Sequence, residues 1–356
     1  MFYRRCVVVN QRYQAQQILP EIGIAGQAKL SAAKVLCVGC GGLAASVLPY
    51  LVAAGVGEIM LLDDDVISLS NLNRQILFTE QQLGEYKAEV LATRLKQQNP
   101  TLKISWSLTR FNLETGLPVV ADYDLVLDCS DDYATKLAIN FCCAQLAKPW
   151  VYASVLGWDG QVALFSLHDT EQPCYKCWQI KAPQATASCS VSGVLGAAVN
   201  LVGSYQANLA IQAILGNFAQ ANRLFIFDLW TLEQQQFQLV KRQDCTFHGD
   251  SLINEWTQPQ VNWVQLANLV NLRLIDIRTL AEWERGHLPL AEHISIGSLI
   301  NLAPQLFNLE QNVVVYCNHH SLSLLAVENL RHLGLQAFVL NGGYQGVIQQ
   351  IQQQQQ

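Results

Sequence analysis

An α/β protein with two strand-helix domains is predicted from three observations: an apolar strand running into a glycine turn, repeated alternation of strand and helix patterns, and a polar break before the alternation restarts. Residues 32–38 form a short apolar run of the buried parallel-strand kind. Gly39-Cys40-Gly41-Gly42 then turns the chain into an apolar helix through about Ala54, and Glu58 to Leu62 is the next strand. Helical spacing follows at Lys87 to Gln98, a strand at 124–128 and a helix at 135–147, so a Rossmann-like doubly wound sheet is expected. Between His248 and Val261 the pattern gives way to a polar segment with Gly249, Asp250, Asn254 and Pro259. Short apolar strands resume at 272–276, 312–316 and 337–340. The expected organisation is a first domain over 1–248, a linker over 249–260 and a small α/β domain over 261–356. The glutamine-rich end, 349–356, is expected to fray.

A chain of 356 residues with 51% hydrophobic and 14% charged residues can bury two real cores. Its net charge of -6, with no compensating Lys/Arg cluster, argues against a nucleic-acid surface. The N-terminal apolar run is four residues long before Asn10, too short for a signal-peptide core. Residues 194–215 are apolar but interrupted by Asn200, Ser204, Gln206, Asn208 and Gln212, which predicts a buried or subunit-facing helix and no membrane span. A soluble, cytoplasmic protein is expected. In such a chain eleven cysteines point to metal ligands, nucleophiles and core packing before disulfides.

The glycine turn, Gly39, Gly41 and Gly42 before Leu43-Ala44, stands where backbone N–H groups and a helix N-terminus receive phosphate. Asp63, about 20 residues on at the end of the second strand, is placed for a ribose hydroxyl. These features predict nucleotide binding and leave NAD and ATP open. An NAD(P)-dependent oxidoreductase is one reading, but it assigns nothing to the segment that follows. That segment is Asp63-Asp64-Asp65-Val66, then Ser70-Asn71-Leu72-Asn73-Arg74-Gln75, then Gly84-Glu85-Tyr86-Lys87.

With Leu-Pro-Glu-Ile-Gly at 19–23 and Leu-Asp-Cys-Ser-Asp at 127–131, these motifs resemble the MoeB/ThiF/HesA family of ubiquitin-activating-type adenylyltransferases, from about Arg12 to His248. The chemistry that the resemblance implies suits the residues. A carboxylate must attack an α-phosphate, two anions that repel, so cations must neutralise the charge. Arg74 and Lys87 are expected to clamp the triphosphate of ATP, Asp131 to hold Mg²⁺, Asn71 to hydrogen-bond phosphate and Asp63 to bind ribose. Gly39, Gly41, Gly42, Asp65, Ser70, Gln75 and Asp132 complete the expected ATP site. For any one of these residues alone, a surface ion pair or a helix cap is the competing role. Two departures stand out: the family's partner-reaching arginine is Ala15, and its T-D-N is Ser130-Asp131-Asp132. The resemblance also implies a homodimer.

Cys174-Tyr175-Lys176-Cys177 and Cys245-Thr246-Phe247-His248 have the spacing of paired tetrahedral ligands, so Cys174, Cys177, Cys245 and His248 are expected to hold Zn²⁺, with ordinary thiols as the alternative. A redox C-x-x-C is disfavoured because no helix start is expected at Cys174. Cys189 falls on an expected loop where some relatives use a cysteine to link the carrier, a catalytic role weighed against a dispensable loop thiol. For Cys6, Cys37, Cys40, Cys129, Cys142 and Cys143 core packing is the default.

In the second domain, Leu274-Ile275-Asp276-Ile277-Arg278, Glu282-Trp283, Gly286-His287-Leu288-Pro289, Val313-Val314-Val315-Tyr316-Cys317 and Leu340-Asn341-Gly342-Gly343 resemble the rhodanese family. Cys317, delivered by a strand into a loop before a helix, is the candidate persulfide carrier. Its loop, Asn318-His319-His320-Ser321-Leu322-Ser323, lacks the usual arginine. Together the resemblances imply adenylation of the C-terminal glycine of a ubiquitin-like sulfur-carrier protein with a Gly-Gly tail. Sulfur transfer to a thiocarboxylate would follow, fed by a persulfide donor such as a cysteine desulfurase. The molybdopterin-synthase small subunit is the first carrier expected and the thiamine carrier ThiS the second. The departures keep open a degenerate, non-catalytic carrier-binding scaffold.

Overall fold

A short apolar strand buried on both faces needs a neighbour on each side, and β1 (Lys34–Val38) has two: β2 (Glu58–Leu62), with Val38 opposite Leu62, and β4 (Leu125–Asp128), with Val38 opposite Asp128. The structure is a computed structural model that describes residues 11–167, 171–179, 193–243, 245, 260–317, 323, 326–327, 329–331 and 333–354. Parallel strands require a crossover, supplied between β1 and β2 by α3 (Gly42–Ala54), which ends on Gly55 in the left-handed region at φ 89°. The first sheet has the order β3-β2-β1-β4-β5-β6-β7-β8, where β3 is Lys103–Ser107, β5 Trp150–Leu156, β6 Asp159–Phe165, β7 Arg223–Asp228 and β8 Glu233–Gln238. Strands β1 to β5 run parallel; β5 to β8 run antiparallel. The chain leaves β1 toward β2 on one side and returns at β4 on the other, opening a crevice at the carboxyl ends of β1 and β4.

The parallel half follows the expected alternation, with one shift: Ala32 closes helix α2 (Gly23–Ala32), and β1 begins at Lys34. The antiparallel half was not expected. Its outer strand, β8, is exposed at all six positions, so no period-2 alternation marks it. The chain divides into two compact units, Met1–Asp131, Ile139–Trp178 and Gly193–Arg242 in one, and Asp132–Ala138, Gln179–Ser192 and Gln243–Gln356 in the other.

Residues expected to form a buried or subunit-facing helix form α8 (Gly196–Leu215; α4, α5, α6 and α7 are Lys87–Gln98, Leu113–Ala121, Tyr133–Gln145 and Tyr175–Trp178). Val199, Val202, Ala207 and Ala210 of α8 join the core that includes Val47, Leu48 and Leu51 of α3. Among the described residues no helix is long and apolar enough to cross a membrane.

The second unit has the order β11-β10-β12-β13-β9, all parallel: β9 (Gln260–Val261), β10 (Leu272–Asp276), β11 (Ala291–His293), β12 (Asn312–Tyr316) and β13 (Gln336–Leu340). The expected fraying of the glutamine-rich end does not hold through Gln354, because Gly343–Gln354 is a helix, α11 (α9 and α10 are Leu280–Arg285 and Ile296–Leu306). Tyr344, Val347, Ile348 and Ile351 recur at helical spacing and pack into the core with Tyr316 and Leu340.

One polar side chain is fully buried in the middle of α8. Gln206 Nε2 donates to Asp128 O at 2.9 Å and Val151 O at 3.1 Å, and its Oε1 accepts from Cys129 Sγ at 3.8 Å. It locks the ladder end where β4 and β5 part. Gln206→Leu leaves two buried carbonyls without this donor, so the variant is expected to lose about 2–4 kcal/mol in urea unfolding. A midpoint equal to wild type would contradict this.

Candidate active site

The glycine turn is shaped by what crowds it. Gly39 has φ 93°, and a Cβ there would stand 2.6 Å from Cys129 O; a Cβ at Gly42 would stand 2.9 Å from Val199 Cγ1 and 3.3 Å from Arg74 O. Gly39 excludes larger residues through packing and backbone conformation, Gly42 through packing alone. Gly41 caps α3, and the buried Gln75 amide lies beside it, its Nε2 at 3.5 Å from where a Cβ would be. Gln75 Oε1 is buried with no hydrogen-bond partner among the described residues.

Asp63 braces the turn from the end of β2: Oδ2 accepts from Cys40 N–H at 2.6 Å and Oδ1 from Asp65 N–H at 2.8 Å. Burial raises its carboxyl above the usual range, while both backbone hydrogen bonds and the Lys87 charge oppose that rise. Lys87, the first residue of α4, is 5% exposed, and its Nζ donates to Asp65 Oδ2 at 2.8 Å. The Asp65 side chain is 71% exposed, so a desolvated ammonium meets a solvated carboxylate. Arg74 abuts Gly42, and its Nη1 donates to Ser70 O at 3.1 Å and Asn73 Oδ1 at 2.9 Å. Asn71 O accepts from the N–H groups of Arg74 and Gln75, at 3.1 and 2.9 Å, setting the turn on which both stand. Thus Gly39, Gly41, Gly42, Asp63, Asp65, Asn71, Arg74, Gln75 and Lys87 are linked around one turn.

Asp131 is exposed at the end of the loop leaving β4. That loop is held by Asp128, fully buried, whose Oδ1 accepts from Ser130 N–H at 3.0 Å and Ser130 Oγ at 2.6 Å. The sequence offered Asp128 only as part of a motif and Gln206 only as an interruption of an apolar run, with no bracing role for either. Asp132, expected in the ATP site, has a carboxylate that accepts from Thr135 N–H at 2.9 Å and from the Thr135 hydroxyl, a cap at the start of α6. Ala15 is exposed on the short helix α1 (Gln14–Gln17).

Cys174 and Cys177 are buried with sulfurs 3.9 Å apart. Contrary to expectation, a helix does start here, since α7 begins at Tyr175. Four residues are too few to carry a helical pattern in the sequence. His248 and Cys189 lie outside the described residues, as does Cys6. Cys37, Cys40, Cys129, Cys142 and Cys143 are buried as expected. Burial pushes Cys142 up to about 12 and raises Cys40 and Cys143 as well; Cys37 is raised first by its hydrogen bond with Cys129.

In the second unit, Cys317 follows β12 and is 2% exposed. Ser323 Oγ donates to its Sγ at 3.2 Å, and its carbonyl accepts from Tyr344 N–H at 3.0 Å. Residues 318–322, His319 and His320 among them, lie outside the described residues. Asp276 and Arg278 form a buried ion pair, Nη2 to Oδ2 at 2.6 Å. Nη2 also donates to Gly286 O at 2.7 Å, and the guanidinium lies 3.7 Å over the Tyr344 ring. The Asp-x-Arg and Gly-Gly motifs thus meet at α11, whose Tyr344 N–H also holds Cys317.

The ThiF family model matches residues 13–247 and the rhodanese-like domain model residues 262–350. A Thermus thermophilus protein named sulfur carrier protein adenylyltransferase is 38% identical over 67% of this chain and 90% of its own. A Drosophila grimshawi protein named adenylyltransferase and sulfurtransferase MOCS3 is 33% identical over 96% of this chain and 84% of its own. The crystal structure of E. coli MccB with ATP shares the fold at TM-score 0.59 and 23% identity, over 68% of this chain and 75% of that one. The crevice at the ends of β1 and β4, the braced glycine turn and the family matches agree: the chain is an adenylyltransferase that belongs to the ThiF family and carries a rhodanese-like domain.

Proposed function

We propose that the chain uses ATP and Mg²⁺ to adenylate the C-terminal glycine of a ubiquitin-like sulfur-carrier protein with a Gly-Gly tail, and that it then converts the adenylate to a thiocarboxylate. The observation that carries this reading is the desolvated Lys87 ammonium, held by Asp65 beside a glycine turn that Asp63 braces. A carrier carboxylate oxygen attacks the α-phosphorus, the bond to the β-phosphate breaks, and pyrophosphate leaves. Lys87 and Arg74 neutralise the charge that builds on the phosphates, and the turn's N–H groups receive it at the N-terminus of α3. Asp63, with spare lone pairs, takes a ribose hydroxyl. The exposed carboxylate of Asp131 would hold Mg²⁺, which supplies charge neutralisation at the phosphates.

The terminal sulfur of a persulfide on Cys317, loaded by a donor such as a cysteine desulfurase, attacks the acyl-adenylate carbonyl, AMP leaves and an acyl disulfide forms. A thiolate, with Cys189 as the candidate, then attacks the Cys317 sulfur, the thiocarboxylate leaves, and an external dithiol reductant reopens the resulting disulfide. The Ser323 hydroxyl would steady the sulfur anion in a loop without arginine. Cys174, Cys177 and Cys245, with His248, would hold a structural zinc. Sulfurs about 2.3 Å from one tetrahedral zinc stand roughly 3.8 Å apart, close to the 3.9 Å between Cys174 and Cys177. A homodimer is added on the resemblance alone. The carrier is the molybdopterin-synthase small subunit or ThiS, and ThiF family membership favours nucleotidyl transfer over hydride transfer.

Pyrophosphate exchange into ATP, measured with each purified carrier separately, should appear with one of them. Arg74→Ala and Lys87→Ala should each cut it by roughly a hundredfold or more, the effect of losing a few kcal/mol of charge stabilisation. No carrier-dependent exchange at saturating ATP would favour the scaffold reading. Cys317→Ser should keep exchange but abolish thiocarboxylate formation, followed by mass spectrometry of the carrier. A wild-type yield from that variant, with only a persulfide donor present, would remove Cys317 from the cycle.

A further inference from the structure

The stretch that carries Arg74 is wedged between two helix starts. A Cβ at Gly42, the first residue of α3, would stand 3.3 Å from Arg74 O. One at Gly196, the first residue of α8, would stand 2.3 Å from Asn73 O and 3.3 Å from Arg74 Cα. With glycine at both places the helices close directly on the Asn73-Arg74 backbone, so the spacing of the two helix starts decides where the guanidinium stands relative to the glycine turn. One side-chain pair ties them. Ser46, one turn into α3 and 3% exposed, donates from Oγ to Asn200 Oδ1 at 2.7 Å, and the same Oγ lies 3.1 Å from Gly42 O. Asn200 stands one turn into α8, and its Nδ2 donates to Gly196 O at 3.2 Å. Among the described residues the Ser46–Asn200 contact is the one hydrogen bond between α3 and α8. The neighbouring contacts are apolar, with Val199 against Gly42 and the Ser46 Cβ against Gly203. Apolar packing holds helices together without direction, whereas a hydrogen bond fixes both distance and angle.

We propose that Asn200, acting through Ser46, is a positioning residue for adenylate formation: the pair fixes the start of α8 against the start of α3 and so sets Arg74 beside the phosphate-receiving turn. The proposal rests on the reading of Arg74 as a clamp on the triphosphate. Every link, from Ser46 to Asn200, Gly196, Asn73 and Arg74, lies within the first unit. Charge builds on the phosphates only as pyrophosphate departs, so a displaced guanidinium weakens the transition state more than it weakens bound ATP. The loss therefore falls on kcat and spares the KM for ATP.

The test is carrier-dependent pyrophosphate exchange by the full chain, with kcat and the KM for ATP measured for Asn200→Leu, Ser46→Ala and the double variant. Each set is made twice, with Arg74 present and in an Arg74→Ala background. With Arg74 present, all three should lose kcat by the same factor, roughly tenfold, because each breaks the same bond. The KM for ATP should stay within about threefold of wild type. In the Arg74→Ala background the same substitutions should change exchange by less than about twofold, since the residue they position is gone. A merely structural role would slow both backgrounds alike. If Asn200→Leu does not fold, Ser46→Ala, which removes one hydroxyl, decides alone. Wild-type kcat in a folded variant, or an equal loss in both backgrounds, overturns the proposal and leaves the clamp reading intact. Wild-type exchange from Arg74→Ala itself, or no exchange by the wild type with either carrier, overturns both.

Discussion

The carboxyl ends of β1 and β4 come so close that a single methyl group at position 39 would collide with the carbonyl oxygen of Cys129. That contact places the loop bearing Asp131 against the turn that opens α3. It is maintained from behind by Gln206, whose amide takes the carbonyls of Asp128 and Val151, and from within by Asp128, whose carboxylate folds the loop onto Ser130. The opposite wall depends on the same turn, since Asp63 ties Cys40 to the chain that leads on to Asp65 and Lys87. Backbone N–H groups are exact in direction but weak alone, so a phosphate-receiving turn must be fixed by its surroundings before it can act.

Much of this was legible in the amino-acid order. The parallel half of the first sheet announced itself through apolar runs; the glycines and Asp63 meet where their spacing put them, and Arg74 and Lys87 lie by the turn as the family resemblance implied. The antiparallel half did not, because β8 is exposed throughout and has no inward face to mark it. Asp132 shows a different limit: a capping carboxylate looks like any other in one dimension, and its hydrogen bonds from Thr135 appear only in the fold. The glutamine tail misled in the opposite sense. Its composition suggested fraying, yet Ile348 and Ile351 anchor it to a core.

The rhodanese-like domain is built on a similar economy of polar contacts. Arg278 is neutralised by Asp276, bound to Gly286 O and stacked on Tyr344, so one guanidinium joins a strand end, a loop and the last helix. Tyr344 then holds the Cys317 carbonyl, which sets where the sulfur leaves β12. The Ser323 hydroxyl donates to that sulfur at 3.2 Å.

The Lys87–Asp65 pair carries a consequence for selectivity. Because the ammonium already has an anionic companion that water reaches freely, any incoming anion gains only the difference between two ion pairs. A lone negative group would profit little from that exchange. On the proposed reading, a polyphosphate that lays several charges along the turn gains more from displacing Asp65 than a simple anion would.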